Sequence, residues 1–186
     1  VCLCFFGDSV VNIGAFHESM NMAARWKLPV VFLLENTQYG MGTDVQRVAA
    51  VKELKDRGLA YDGLTSIDVD GMDVLAVREA GAEAVASCRK GNGPVLLEVL
   101  TYRYRGHSMS DPATYRTRDE VNKVREERDP IDRVRGWLID GKAAKEDEVK
   151  LIDKEIREIV NDAAEHAQTS PEPESSELYT DIYVEA

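Results

Sequence analysis

Two short, unbroken apolar runs, residues 1–6 and 30–34, bracket a stretch in which Phe16, Met20, Ala23 and Ala24 recur at helical intervals. Continuous apolar runs of this length read as strands buried on both faces. The periodic stretch reads as a helix over residues 13–28. Pro29 ends it, because proline has no amide to donate and its ring clashes with the preceding turn. Strand, turn, helix and strand at this spacing form a βαβ unit, which requires parallel strands and a right-handed crossover. At 186 residues the chain is long enough to close a substantial core around such a unit as one domain.

The same theme continues downstream. Residues 65–69 read as a strand. Asp73 reads as the N-cap of a helix whose apolar side includes Val77, Ala84, Val85 and Cys88, and the Gly-Asn-Gly-Pro stretch 91–94 stops it. Residues 95–104 read as a further strand, followed by an irregular segment over 105–115. The chain is then helical to about Thr169, with Val149, Ile152, Ile156, Ile159 and Ala163 along one side of the last helix. Past Ser170 the composition turns to Pro, Glu and Ser, an extended tail before residues 178–184. The expected fold is α/β, a doubly wound and mostly parallel sheet with a helical C-terminal region. The expected divisions are 1–116 as the α/β domain, lacking its own N-terminal part, 117–169 as helices of that domain, and 170–186 as tail.

A formal net charge of -11 argues against nucleic-acid binding and against anionic membrane surfaces. No apolar run approaches the ~18 residues that span a bilayer. The chain opens at Val1 inside an apolar run, without a basic leader or a cleavage site, and reads as a fragment or as the second half of something larger. Cys2, Cys4 and Cys88 make no zinc pattern and read as buried thiols in a reducing compartment. Within this acidic chain, residues 102–118 hold Arg103, Arg105, Arg116 and Arg118 against Asp111 alone, which fits either an anionic ligand or a solvated loop with chance arginines. Asp68, Asp70 and Asp73 resemble a calcium cluster, but the later ligands of an EF-hand loop are missing. His17 has no partner at metal-ligand spacing.

In open α/β sheets, ligands bind beyond the carboxyl ends of the strands. Asp8 stands at one such end, and Glu35, Asn36 and Thr37 at the next, so the two groups can share a crevice. A carboxylate beside an amide or a hydroxyl supplies the hard oxygen ligands that Mg²⁺ prefers, with phosphate oxygens completing the shell.

Longer stretches carry a resemblance. "FHESMNMAARWKLPVVFLLEN" at 16–36, "YGMGT" at 39–43, "DVDGMDVLAVREA" at 68–80, "TYRYRGHSMSDPATYRTRDE" at 101–120 and "ELYTDIYV" at 177–184 look, in register, like alpha subunits of the thiamin-diphosphate-dependent 2-oxo acid dehydrogenase family. "HSMSDP" leans toward the pyruvate type over acetoin and branched-chain relatives. The resemblance implies thiamin diphosphate and Mg²⁺ as cofactors, with Asp8, Thr37 and the Tyr39 carbonyl as metal ligands. Ser9, Val10, Asn36 and Tyr39 would contact the cofactor, and the catalytic-loop His107 would reach its diphosphate. Ser108 matches a serine that a kinase phosphorylates in mitochondrial members. The implied partners are a beta subunit in a heterotetramer, a lipoyl-bearing acyltransferase and pyruvate, in a bacterial cytoplasm or a mitochondrial matrix.

Two departures fall on the family's cofactor motif, which opens Gly-Asp-Gly, here Gly7, Asp8 and Ser9, and closes Asn-Asn, here Asn36 and Thr37. Ser9 stands where the family has a second glycine, and Thr37 where it has a metal-ligating asparagine. If residue 9 needs a positive φ, the serine costs roughly 1–2 kcal/mol. Ile13 also replaces a polar residue, and one residue is deleted near Thr114. The competing expectations are a non-catalytic paralogue that keeps the fold and interface, or a plain phosphate-binding α/β module. The absence of any glycine-rich phosphate loop counts against the latter.

Overall fold

The computed structural model describes residues 1–182. The chain runs β1 (Cys2–Gly7), a 3-10 turn (Asp8–Asn12), α1 (Gly14–Trp26) and β2 (Val30–Asn36). A small hairpin follows, β3 (Tyr39–Gly40) and β4 (Thr43–Asp44), then 3-10 turns at Val45–Arg47 and Leu54–Ala60. Next come β5 (Thr65–Asp70), α2 (Val74–Arg89) and β6 (Val95–Leu100), and after an irregular segment α3 (Arg118–Arg128), α4 (Pro130–Asp140) and α5 (Glu146–Thr169). Two compact units divide the chain, Val1–Val134 and Arg135–Ala186.

The four long strands form one parallel sheet in the order β1-β2-β6-β5. Its register explains the two cores. Phe32 lies beside Leu96, and Val31 beside Val95. Successive side chains alternate between faces, so these pairs look opposite ways. Phe32, Leu34 and Leu96 pack with Phe16, Met20 and Ala23 of α1. Val31, Val95, Leu97 and Val99 pack with Ala84 and Cys88 of α2. One helix on each face makes the sheet doubly wound, as the unbroken apolar strands require. Asp73 caps α2, its carboxylate accepting from the Leu75 and Ala76 amides at 3.0 and 3.1 Å.

The structure corrects two expectations, on the strand at 95–104 and on the cysteines, and divides the expected helical region. The strand read over 95–104 stops at Leu100, because the sheet beside it runs out: the Thr101 amide donates to Asn36 O at 2.9 Å, at the end of β2. Cys88 is buried, but Cys2 and Cys4 are exposed. Among the described residues their strand is an edge, paired only with β2, and it leaves Leu3 and Phe5 about half exposed. The helical region past residue 117 is three helices, with Asp129 receiving the Ile131 and Asp132 amides where α4 starts. The stretch at 178–184 lies partly outside the described residues. Up to Ile182 it holds a 3-10 turn, Ser175–Tyr179.

Each acid of the 68–73 group has its own cation: Lys55 on Asp68, Arg128 on Asp70 and Arg133 on Asp73. Among the described residues, no group of acids, histidines and cysteines is arranged to hold a metal by itself.

Candidate functional site

Parallel pairing brings the C-terminal ends of all four strands to one side, with Gly7 level with Glu35, and Glu35 level with Val99. Just past Gly7 the chain tightens into the 3-10 turn Asp8–Asn12, where Val11 is fully buried and anchors the turn in the α1-side core. That anchor pulls Asp8 inward until it is only 4% exposed. Burial pushes its carboxyl pKa up, opposed by the Asp8 and Ser9 amides, the Arg103 charge and the Thr37 hydroxyl. One oxygen, Oδ2, is buried with no hydrogen-bond partner. An uncompensated buried carboxylate oxygen is costly, on the order of 1–3 kcal/mol.

At the end of β2 the side chains divide their work. Asn36 is buried, its Nδ2 donating to Glu98 Oε1 at 2.6 Å and its Oδ1 accepting from the Gln38 amide at 2.8 Å. Both ends of the Asn36 amide are spent on shaping the loop. Glu98 Oε2 accepts from the Lys55 amide at 2.7 Å, so this 2%-exposed glutamate is fully partnered. Thr37 turns the other way, its hydroxyl 3.4 Å from the Tyr39 carbonyl. Arg103 Nη1 donates to that same carbonyl at 3.4 Å, while Nη2 donates to Met41 O at 2.6 Å and to the Tyr115 hydroxyl at 3.1 Å. Two long bonds leave the Tyr39 carbonyl weakly held.

Ser9 sits without strain. It lies in a right-handed 3-10 turn and is not among the residues of positive φ, so the cost foreseen for a non-glycine residue there does not arise. Room for its side chain comes from Gly40, where any Cβ would overlap the Ser9 hydroxyl.

The irregular segment closes over this point. Asp111 folds it back on itself, accepting from the His107 amide at 2.7 Å, the Ala113 amide at 2.8 Å and the Tyr115 hydroxyl at 2.9 Å. The His107 amide, and after it the Ala113 amide, holds the Asp111 carboxyl below its ordinary range. Tyr115 packs on Tyr39 with ring centroids 4.9 Å apart. Arg116 is buried among the rings of Tyr39, Tyr102 and Tyr115 and donates to Arg105 O at 2.8 Å.

The outcome is a cleft of about 260 Å³ lined by Gly7, Asp8, Ser9, Val10, Glu35, Thr37, Tyr39, Gly40, Met41, Arg103 and His107. Of the residues picked from the sequence, Asp8, Ser9, Val10, Thr37, Tyr39 and His107 meet there. Asn36 does not line it. Ser108 lies exposed on the loop, its hydroxyl 3.1 Å from that of Ser110. Of the four arginines around the loop, Arg103 alone lines the cleft. Sequence reasoning missed Glu98, although a lone acid inside the run "VLLEVL" was a signal of a buried partner.

A profile of the family described as "Dehydrogenase E1 component" matches residues 1–176. The chain is 57% identical over 182 residues to a Rhizobium meliloti protein named pyruvate dehydrogenase E1 component subunit alpha, covering 98% of this chain and 52% of that one. It is 50% identical to the mitochondrial counterpart of Dictyostelium discoideum, over 100% of this chain and 48% of that protein. It is 49% identical to the somatic mitochondrial form of Sus scrofa, over 98% and 46%. The chain therefore spans about half the length of these curated relatives.

Proposed function

Because the chain belongs to the dehydrogenase E1 component family, we propose that it acts as part of the alpha subunit of a pyruvate dehydrogenase. With a beta subunit, that enzyme would decarboxylate pyruvate oxidatively and pass the acyl group to the lipoyl group of an acyltransferase. The relatives so named include bacterial and mitochondrial proteins, and a bacterial cytoplasm or a mitochondrial matrix is the proposed setting. No helix among the described residues is long and apolar enough to cross a membrane.

The observation that carries this reading is the orphaned Asp8 Oδ2, buried beside the Thr37 hydroxyl and near a loosely held Tyr39 carbonyl. Three hard oxygen donors on one cleft suit Mg²⁺. Threonine is an accepted ligand for that ion in phosphate-binding loops, so Thr37 in place of asparagine keeps an oxygen donor at the position. In this reading Asp8, Thr37 and the Tyr39 carbonyl hold Mg²⁺. Arg103 and His107 face the same space and supply positive charge and hydrogen-bond donors to a diphosphate. Thiamin diphosphate, when bound, supplies the electron sink for decarboxylation. The chain contributes position, a desolvated carboxylate and a loop that keeps water out.

Calorimetric titration of thiamin diphosphate, with and without Mg²⁺, tests the reading on the chain reconstituted with its upstream half and a beta subunit. Magnesium-dependent binding that Asp8→Asn abolishes is expected. Binding seen only in Thr37→Asn would instead mean a retired cofactor site on a retained scaffold.

A further inference from the structure

Arg103, just past the end of β6, holds the β3–β4 hairpin and the loop that follows it with one guanidinium. Nη2 donates to Met41 O at 2.6 Å and to the Tyr115 hydroxyl at 3.1 Å. Nη1 lies 3.4 Å from the Tyr39 carbonyl, and Nε is buried with no hydrogen-bond partner. The fork is seated firmly through one nitrogen and loosely through the other. The loosely placed nitrogen rests on the oxygen assigned above to Mg²⁺.

A guanidinium and a divalent ion on one carbonyl oxygen repel each other strongly at such short range. Arginine cannot relieve that conflict by losing its proton. Burial raises the Asp8 pKa, and the Arg103 charge is among the groups that oppose the rise, so it already answers part of the charge that draws an ion. With an ion added, the positive charges outnumber Asp8 and Glu35, the two carboxylates that line the cleft. A diphosphate reverses that balance. It gives Arg103 charged acceptors stronger than a carbonyl at 3.4 Å.

We propose that Arg103 is a stand-in cation, which holds the Tyr39 carbonyl while the cleft is empty and makes ion binding depend on the diphosphate. The ion alone must displace Nη1 and bear the repulsion. Together with the diphosphate it meets an arginine whose charge is already matched. The inference rests on the assignment of Asp8, Thr37 and the Tyr39 carbonyl to Mg²⁺ and adds to it a residue that couples the two cofactors.

Calorimetric titration of the chain reconstituted with its upstream half and a beta subunit measures two affinities: for Mg²⁺ alone, and for thiamin diphosphate at saturating Mg²⁺. Arg103→Gln keeps a donor and loses the charge, while Arg103→Met loses both. Each is expected to bind Mg²⁺ alone roughly tenfold tighter than the native protein, and thiamin diphosphate roughly tenfold weaker. Opposite signs exclude a merely structural role, since a disordered cleft weakens both ligands. Variants that bind Mg²⁺ alone no tighter than the native protein overturn the proposal and leave the metal assignment standing, as does an unchanged affinity for thiamin diphosphate. Native protein that binds neither ligand overturns the metal assignment and the proposal with it.

Discussion

Asn36 on β2 donates its side-chain amide to Glu98 on the neighbouring strand β6 at 2.6 Å, and both residues are buried. This bond ties the site loop to the sheet. Glu98 uses its other oxygen on the Lys55 amide, so one buried carboxylate organises the exits of two segments. Replacing it by glutamine leaves an NH₂ group facing a donor on one side. Glu98→Gln is expected to destabilise by about 1–3 kcal/mol in urea unfolding, and Asn36→Ala, which strips a buried charge of a partner, by at least as much. An unfolding midpoint unchanged in both variants would remove the tie from the account.

Asp8 offers a test with a sign. Its folded-state pKa is raised, chiefly by burial, so its contribution to stability is fully present below the unfolded pKa and lost as pH rises through the folded one. Above the unfolded pKa the carboxyl therefore opposes folding in the cation-free chain. Asp8→Asn should raise the melting temperature there by about 2–4 °C. That gain should fade in acid, where both forms are neutral. Mg²⁺ should stabilise the native chain and leave the variant unmoved. Calorimetric melts across pH, with and without the ion, decide it.

Ser9 and Gly40 should behave as a coupled pair. A methyl group at Gly40 would occupy the space of the Ser9 hydroxyl. Gly40→Ala is expected to cost about 1–3 kcal/mol by overpacking. Adding Ser9→Gly should restore most of that loss. A double-mutant cycle with additive effects would mean that the two residues do not share the space.

The Asp111 clamp makes the loop around His107 sensitive to acid. Its carboxyl pKa is lowered by the His107 and Ala113 amides, so the clamp is present above the ordinary carboxylate range and fails as pH falls through the depressed value. Asp111→Asn should reproduce that failure at neutral pH, since one acceptor oxygen becomes a donor group. Limited proteolysis within residues 105–115 should be several-fold faster in the variant. Equal cleavage rates would assign the order of the loop to the tyrosine and arginine contacts instead.

Much of the fold was legible because period and punctuation are local. The unbroken apolar runs at residues 1–6 and 30–34 and the spacing of Phe16, Met20 and Ala23 pointed to parallel strands with a helix between them, although the run at 1–6, read as buried, forms an exposed edge strand. Asp73 announced its cap by its place before an apolar helix. The overlong reading of the strand past Leu100 failed for a non-local reason, since nothing in residues 101–104 says that the neighbouring strands have ended. Cys2 and Cys4 misled likewise, because whether an apolar strand is central or at an edge depends on the order of the sheet.

For the site, the sequence placed Asp8, Asn36 and Thr37 at the strand ends, and its resemblance to a known family added Tyr39 and His107. Only the tertiary structure decided where each one points. Asn36 and Thr37 are neighbours in the chain, yet Asn36 is drawn inward by Glu98 and Thr37 faces the cleft with Asp8. Ser9 is tolerable because Gly40, in the β3–β4 hairpin, leaves its side chain room. Periodicity and chemistry are written along the chain, but the acceptors that orient a side chain and the space that admits it come from residues distant in sequence, brought together only when the sheet forms.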